Sequence, residues 1–392
     1  MRFLLVVPPL TGHVTPLRVV ATELARRGHR VAWCGPQPAT SQLVGAASIF
    51  PAGASDPFAV ERRPAGLRGF AALKYLWENY LIPLADAMLP GVCTAIERFG
   101  PDVVVADQQA LAGALAAATT GVRWATSATT PAGLAEPAAG MPRITAWIRR
   151  LVDELCTRNG SAPRDLRFSP DLVIAFTIPE LAGAPMRHCH YAGAPRARAS
   201  ATDFPWAALD GRPLVVVTLG TSNAPAGRRF LAMSVHALST MDHVQGVVID
   251  PTGELASRDV LLRPAAPLPD LLRRAAVTVC HGGHNTVCES LDAGVPLVVA
   301  PIRDDQTALA ARVVDNGVGV RLRFDRATAA DLRHAVTSVL TDPGYRGQAA
   351  HLQHSLRVAG GAGTAADLLE SLSAKGTTCN PTWTERCRGS NV

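Results

Sequence analysis

The sequence predicts an α/β protein of two parallel-sheet domains facing each other across a cleft. Three observations carry that reading. The chain has 392 residues, which divides into about two domains with material for two cores. Near its start an apolar run, Phe3 to Val7, passes through a glycine loop into a helical pattern and then a second apolar run, as a buried strand of a βαβ unit does. A second series of the same kind opens at Pro213 and continues past Gln306. With 48% hydrophobic and 18% charged residues, the composition is that of an ordinary globular protein and excludes a disordered chain.

In the first unit the strand Phe3 to Val7 leads into Pro8-Pro9-Leu10-Thr11-Gly12-His13-Val14. Thr15-Pro16 then reads as N-cap and first helical position, with the helix running through Arg27 and stopping at Gly28. His29 to Trp33 follows as the next strand. The stretch from Ala39 to Phe99 has no clean period and mixes Pro and Gly with aromatics, including Phe58, Phe70, Tyr75, Trp77 and Tyr80. It reads as loops and short helices over a rigid sheet, where binding specificity tends to sit, although plain packing explains the aromatics as well. Pro101 to Asp107 is a strand that delivers an aspartate at its carboxyl end, before an alanine-rich helix ending near Thr120; Asp107 also fits as the N-cap of that helix.

From Ala128 to Arg167 the chain is irregular, with Pro131, Pro137, Pro142 and Pro163 around an amphipathic helix at Ile144 to Leu155. Asp171 to Ile178 returns to the sheet. In His188-Cys189-His190 strand alternation puts both histidines on one face, but no partner cluster lies nearby, so the group reads as structural and not as a metal site. Arg196 to Gly211 is the linker. The second series begins with Pro213 to Thr218 and the loop Leu219-Gly220-Thr221-Ser222, whose small residues let backbone come close to a phosphate. A helix around Arg229 to Leu238, strands at Gly246 to Ile249 and Val260 to Leu262, and the stretch Pro264 to Leu272 follow.

The most informative stretch is Val277 to Gln306. It reads as strand, loop His281-Gly282-Gly283, helix Thr286 to Ala293, Gly294 past its end, strand Pro296 to Ala300, and the polar loop Pro301 to Gln306. In βαβ units the loop at the carboxyl end of a strand carries the ligand, and this one offers a histidine and the unpaired N–H groups of a helix start, so an anion belongs there. Thr286 and Glu289 taken alone also form a capping box. Two polar loops on one rim of the sheet make a site. Beyond Gln306 a helix to Asn316-Gly317, a strand at Val318 to Leu322 and two more helices reach about Ala374, and Lys375 to Val392 is a polar tail. The expected domains are 1–208 and 209–374, with 375–392 as the tail.

The formal charge of +6 comes from arginines scattered in pairs such as Arg26-Arg27 and Arg273-Arg274, not from one basic block. That distribution argues against nucleic acid and fits an anionic small molecule, with peripheral contact to an anionic membrane surface as a second attraction. Eight cysteines form no C-x-x-C pair, and several fall in apolar patterns where a reduced thiol is a small hydrophobe, so a reducing cytoplasm is the simplest home. The opening apolar run is too short for a secretory signal, and no stretch reaches the roughly 18 apolar residues of a membrane span.

The string His281-Gly-Gly-x-Asn285-Thr286-x-x-Glu289, the Gly-Val-Pro-Leu after it and the closing Pro-x-x-x-Asp305-Gln306 resemble the donor signature of family 1 glycosyltransferases. These are inverting enzymes of the GT-B fold, two Rossmann-like domains, and the likeness is to the bacterial branch that glycosylates antibiotics and other lipophilic natural products. The resemblance covers roughly residues 1–374 and is sharpest at 281–306. It implies that His281 and the amides near Gly283, Asn285 and Thr286 hold the donor diphosphate, that Glu289 takes the ribose hydroxyls, and that Asp305 and Gln306 meet the sugar. It further implies a place for Gly220 and Thr221 beside the phosphates and for Pro267 and Leu268 against the nucleobase. His13 would be the catalytic base and Asp107 its partner, with Phe70, Tyr75, Trp77 and Tyr80 on the acceptor side, and the last helix would cross back onto the first domain.

A nucleoside-diphosphate sugar, TDP- or UDP-linked, and a lipophilic acceptor alcohol are then the expected substrates. No two aspartates lie two apart, so the D-x-D metal clip of the other major transferase fold is missing, and neither metal nor other cofactor is expected. Gly12-His13-Val14 with Pro16 also resembles the opening of a lipid-linked peptidoglycan transferase, and a sugar 2-epimerase shares the fold; the 281–306 string argues against both. A non-catalytic partner that keeps the fold is the alternative of a different class, against which the intact His13 and Glu289 count.

Overall fold

The structure, a computed structural model, describes residues 1–59, 64, 67, 69–131, 134, 142–183, 187–196, 203–220, 224–303 and 305–374. In chain order the first half holds β1 (Arg2–Val6), α1 (Thr11–Arg26), β2 (Arg30–Gln37), α2 (Ala39–Val44), β3 (Ile49–Ala54), α3 (Gly69–Tyr75), α4 (Ile82–Phe99), β4 (Val103–Asp107), α5 (Leu111–Thr120), β5 (Arg123–Ala128), α6 (Pro142–Arg158), β6 (Val173–Ala175), α7 (Pro179–Ala182) and β7 (Cys189–Tyr191). The second half holds β8 (Leu214–Thr218), α8 (Ala224–Ser239), β9 (Gln245–Ile249), β10 (Val260–Arg263), α9 (Leu268–Leu272), β11 (Ala275–Cys280), α10 (His284–Asp292), β12 (Leu297–Val299), α11 (Gln306–Asp315), β13 (Gly319–Arg321), α12 (Ala329–Thr341), α13 (Pro343–Val358) and α14 (Ala362–Ala374).

The strands form two sheets, one of seven in the order β3-β2-β1-β4-β5-β6-β7 and one of six in the order β10-β9-β8-β11-β12-β13. Every pairing is parallel. Parallel strands need helical crossovers, which cover both faces, and this is why β1, β4 and β8 are apolar along nearly their whole length. In each sheet the strand order reverses once, between β1 and β4 and between β8 and β11. Loops leaving such a pair part to opposite faces and open a crevice at the carboxyl ends of the strands.

The last helix crosses back onto the first domain. Ala365, Ala366, Leu369 and Leu372 of α14 join the core beneath α1 with Leu17 and Leu24. On its rim Arg27 meets Asp367 at 2.6 Å and Glu370 at 2.9 Å, and His29 Nε2 meets Glu370 at 2.6 Å. Such rim pairs, half-buried except at Asp367, set register more than stability; the buried apolar face carries the attachment. A second bridge runs through Ile178, Leu181 and Ala194 of the first domain, which share a core with Val287, Leu291, Leu309 and Leu356 of the second.

Three local expectations need correction. Helix α1 starts at Thr11 with Leu10 as N-cap, five residues before the predicted start with Thr15 as N-cap and Pro16 first in the helix, so Pro16 lies inside the helix. The stretch 69–99 is not made of loops and short helices: α3, a π-helical segment Leu76–Leu81 and α4 form one continuous 31-residue helix. Pro83 and Pro90 read as breakers in the sequence, but the turns they weaken are held by Leu84, Met88, Val92 and Ile96 packed into the core. By length and apolarity this helix could cross a membrane, although part of it is buried against the sheet. Finally, His188 has a left-handed backbone, φ 59°, and stands outside β7, so the two histidines do not share a strand face.

The six cysteines among the described residues form no disulfide, and burial pushes Cys34, Cys280 and Cys288 up to about 12, so these three stay protonated and inert. The tail 375–392, with Cys379 and Cys387, lies outside the described residues.

Candidate active site

The reversal between β1 and β4 brings two sequence-distant residues together. His13 sits in the first turn of α1 and Asp107 is the last residue of β4. Their side chains meet at 2.9 Å between Nδ1 and Oδ1, with Asp107 1% exposed and His13 8%. The backbone N–H of Gln109 donates to the same Oδ1 at 2.9 Å, so Asp107 is held by its own turn and does not cap α5, whose N-cap is Ala110.

A third member has no signal in the sequence. Thr129, just beyond β5, places Oγ1 3.0 Å from Asp107 Oδ2 and 2.7 Å from His13 Nδ1. The ionised carboxylate can only accept, so the threonine hydroxyl donates to it and turns a lone pair to the imidazole. Both neighbours of Nδ1 are then acceptors, which fixes the proton on Nδ1 and leaves Nε2 bare. Nε2 makes no hydrogen bond among the described residues. The arrangement can accept a proton and stabilise the imidazolium that results.

Of the four aromatic candidates, Tyr80 is coupled to this group through the charge of Asp107. Its buried hydroxyl has no hydrogen-bond partner, and burial, with the charge of Asp107 second, holds the phenol above its usual range. The π-helical segment that carries Tyr80 shifts the register of the helix here. Gln108 Oε1 and Ser127 Oγ, from the ends of β4 and β5, are likewise buried without partners. Trp77 packs in the core with Leu81 and Leu84. Phe70 is 54% exposed and lies against Trp147 at 5.5 Å between centroids, and Tyr75 is half-buried.

The second reversal, between β8 and β11, sets Gly220 beside His281. A Cβ on Gly220 would stand 3.0 Å from His281 Cε1, and one on Gly283 would overlap the ring, so both glycines are needed for the imidazole to lie flat in the crevice. His281 is 7% exposed with Nδ1 unpartnered; burial, and second the charge of Arg303, lowers it to about 4. It is therefore a neutral ring whose buried Nδ1 has no hydrogen-bond partner among the described residues. Thr221 lies outside the described residues.

Helix α10 begins at His284, two residues before the predicted Thr286 start, with Gly283 as N-cap and no side-chain cap. The capping box of Thr286 and Glu289 therefore does not form, because Thr286 is already the third helical residue. The amides of His284, Asn285 and Thr286 have no acceptor within the helix and point out of its start. Glu289 lies four residues on from Asn285, on the same face. It is half-buried, and burial, with Asp292 second, raises its carboxyl to about 7.

On the adjacent loop Gln306 is turned inward. Its Oε1 accepts from the N–H groups of Ile302 at 2.9 Å and Arg303 at 3.0 Å, which leaves only its amide N–H groups for a ligand. Asp305 is the N-cap of α11 without a side-chain cap, and Pro267 and Leu268 form the start of α9.

The two halves of the crevice touch. Asn285 Nδ2 donates to the carbonyl of Gly12 at 2.8 Å, so the starts of α1 and α10 stand against each other. Two helix starts present positive dipole ends to one space, beside a bare imidazole nitrogen.

Residues 253–361 match the family described as erythromycin biosynthesis protein CIII-like, C-terminal domain. The chain is 30% identical to 4'-demethylrebeccamycin synthase of Lentzea aerocolonigenes, across 95% of this chain and 99% of the relative. It is 29% identical to demethyllactenocin mycarosyltransferase of Streptomyces fradiae, across 93% and 85%. Among solved structures it is similar to the glycotransferase of kitacinnamycin, with a TM-score of 0.79 at 24% identity over 95% of this chain and 98% of that one. The glycosyltransferase VinC in complex with dTDP gives 0.72 at 20% identity over 96% and 100%.

Proposed function

Because the chain belongs to the family of natural-product glycosyltransferases with the GT-B fold, we propose that it transfers a sugar from a TDP- or UDP-linked donor to a hydroxyl of a lipophilic aglycone such as a polyketide, inverting the anomeric centre. The observation that carries the reading is the meeting of two helix starts beside His13 Nε2. The donor diphosphate fits the amides of α10 and the unpartnered Nδ1 of His281. An acceptor hydroxyl at Nε2 loses its proton to His13 as its oxygen attacks the anomeric carbon. The bond from that carbon to the diphosphate breaks in the same step, and the charge leaves into the helix start. Asp107 is engaged by His13, Thr129 and the Gln109 N–H and is not available as a nucleophile, which favours one displacement over two. An α-linked donor then gives a β-glycoside. Cysteines that form no disulfide among the described residues favour work in a reducing cytoplasm.

The test is mass spectrometry of TDP- and UDP-sugars incubated with lipophilic alcohols and the purified chain alone, in excess EDTA. The TDP arm is motivated by the neighbour solved with dTDP. Helix-start amides and the positive end of the helix dipole suit the leaving phosphates in place of a divalent ion. Glycoside should therefore form at the same rate with EDTA as with magnesium. Turnover that vanishes with chelator and returns with metal rejects this mechanism, and failure with every donor and acceptor in the absence of a second protein favours a non-catalytic partner.

Glu289 makes donor affinity depend on pH. Ribose hydroxyls donate to the ionised carboxylate, so binding favours ionisation of a group that titrates near 7 in the free protein. Affinity for an intact nucleotide sugar, whose diphosphate diester does not itself titrate here, should fall about tenfold from pH 8 to pH 6. His281, lowered to about 4, stays neutral across that window and adds nothing. The effect on folding has the opposite sense: the raised carboxyl binds its proton more tightly folded than unfolded, so its contribution to stability declines as pH rises from about 4.5 to about 7. Calorimetry should show the affinity slope in the wild type and none in Glu289→Gln; a wild-type slope in the variant removes Glu289 from the ribose.

A further inference from the structure

Helix α1 contains a proline where a helix ordinarily loses by it. Each helical N–H bonds to the carbonyl four residues earlier, and Pro16 has no N–H, so the carbonyl of Gly12 is left without an intrahelical donor. That carbonyl is filled from the other domain by the side-chain amide of Asn285, at 2.8 Å. Gly12 leaves the approach open, since even a Cβ there would stand 3.7 Å from Nδ2. The residue after Gly12 is His13. Pro16 thus creates an acceptor one residue from the imidazole, and the turn of α10 whose amides face the diphosphate supplies its donor.

Resting on the donor site proposed above, we propose that Asn285 is a positioning residue for His13. Its backbone amide belongs to the phosphate-binding turn, while its side chain fixes the start of α1 relative to that turn and so sets Nε2 against the anomeric carbon. The domains do not need this bond to stay together. Ile178, Leu181 and Ala194 are already buried against α10, α11 and α13, and His284 Nε2 bonds the carbonyl of Phe176 at 3.1 Å. The Asn285 bond lies apart from that core, at a half-exposed side chain beside the base. It therefore governs the distance between base and leaving group and not domain docking. A donor that orders the start of α10 orders the start of α1 with it.

Asn285→Ala should lower kcat about tenfold on an alcohol acceptor and leave the donor Kd within about twofold, because the backbone amides remain while the base loses its register. The pair with His13 separates positioning from direct binding. In a His13→Ala background, assayed with an acidic phenol that ionises unaided, Asn285→Ala should cost less than about twofold further, since no base remains to be placed. Hydrogen exchange needs no turnover: the peptide spanning Thr11 to Leu17 should exchange faster in Asn285→Ala than in the wild type. If the two losses multiply, or if the donor Kd rises in step with the loss of rate, Asn285 is a donor ligand and the proposal fails. Unchanged exchange in that peptide also overturns it. If the wild type transfers no sugar to any acceptor while exchange still responds, the transferase mechanism fails and the link between the helices stands.

Discussion

His13→Ala should lower turnover on an alcohol acceptor by about 10²–10⁴, the span of a positioned general base, with donor affinity nearly unchanged. An alcohol is too weak an acid to attack unaided near neutral pH, and Nε2 of His13 is the bare nitrogen facing the crevice, with Nδ1 committed to Asp107 and Thr129. The groups proposed to hold the donor, His281 and the start of α10, belong to the other domain, so losing the imidazole leaves them in place. Single-turnover rates and calorimetric titration of the nucleoside diphosphate measure the two effects separately. Near-full turnover on an alcohol in His13→Ala would remove His13 from the chemistry. Persistence on an acidic phenol alone would not, because that acceptor supplies its own oxyanion.

The parallel architecture and both rims of the crevice are legible in the sequence because they depend on local chemistry. Strand runs buried on both faces must be apolar along their length, and the loops that receive a ligand must be small, so Val277 to Gln306 and Phe3 to His13 stand out. What is not legible depends on partners distant in the chain. Thr15-Pro16 has the form of a helix start, and only Asn285, about 270 residues away, shows how α1 can begin at Thr11 with a proline inside it. Thr129 is one threonine in a proline-rich stretch, and its role exists only where the ends of β4 and β5 lie side by side. The helix from 69 to 99 is hidden for the converse reason: its prolines obey local rules that burial overrides.

Asp107→Asn should cost about 10²–10³ in turnover, less than removal of the base, through the tautomer of His13 more than through lost charge alone. The Gln109 N–H and the imidazole share Oδ1, so the asparagine oxygen takes that place and its NH₂ group turns toward Thr129. Thr129 Oγ1 then accepts where it formerly donated, and its own proton has one remaining acceptor, His13 Nδ1 at 2.7 Å. The asparagine oxygen still accepts at Nδ1, so a proton offered there by Thr129 competes with the Nδ1–H form and shifts part of the population to the Nε2–H form, which cannot receive one from the acceptor. The hydroxyl that supports the dyad in the wild type thus works against it in the variant. Adding Thr129→Val to Asp107→Asn should therefore restore part of the lost rate, while Thr129→Val alone lowers it. Nitrogen chemical shifts of the His13 ring should show the tautomer exchanging in step with the rates. If the double variant is slower than Asp107→Asn by the factor that Thr129→Val costs alone, Thr129 serves packing only and the tautomer argument is wrong.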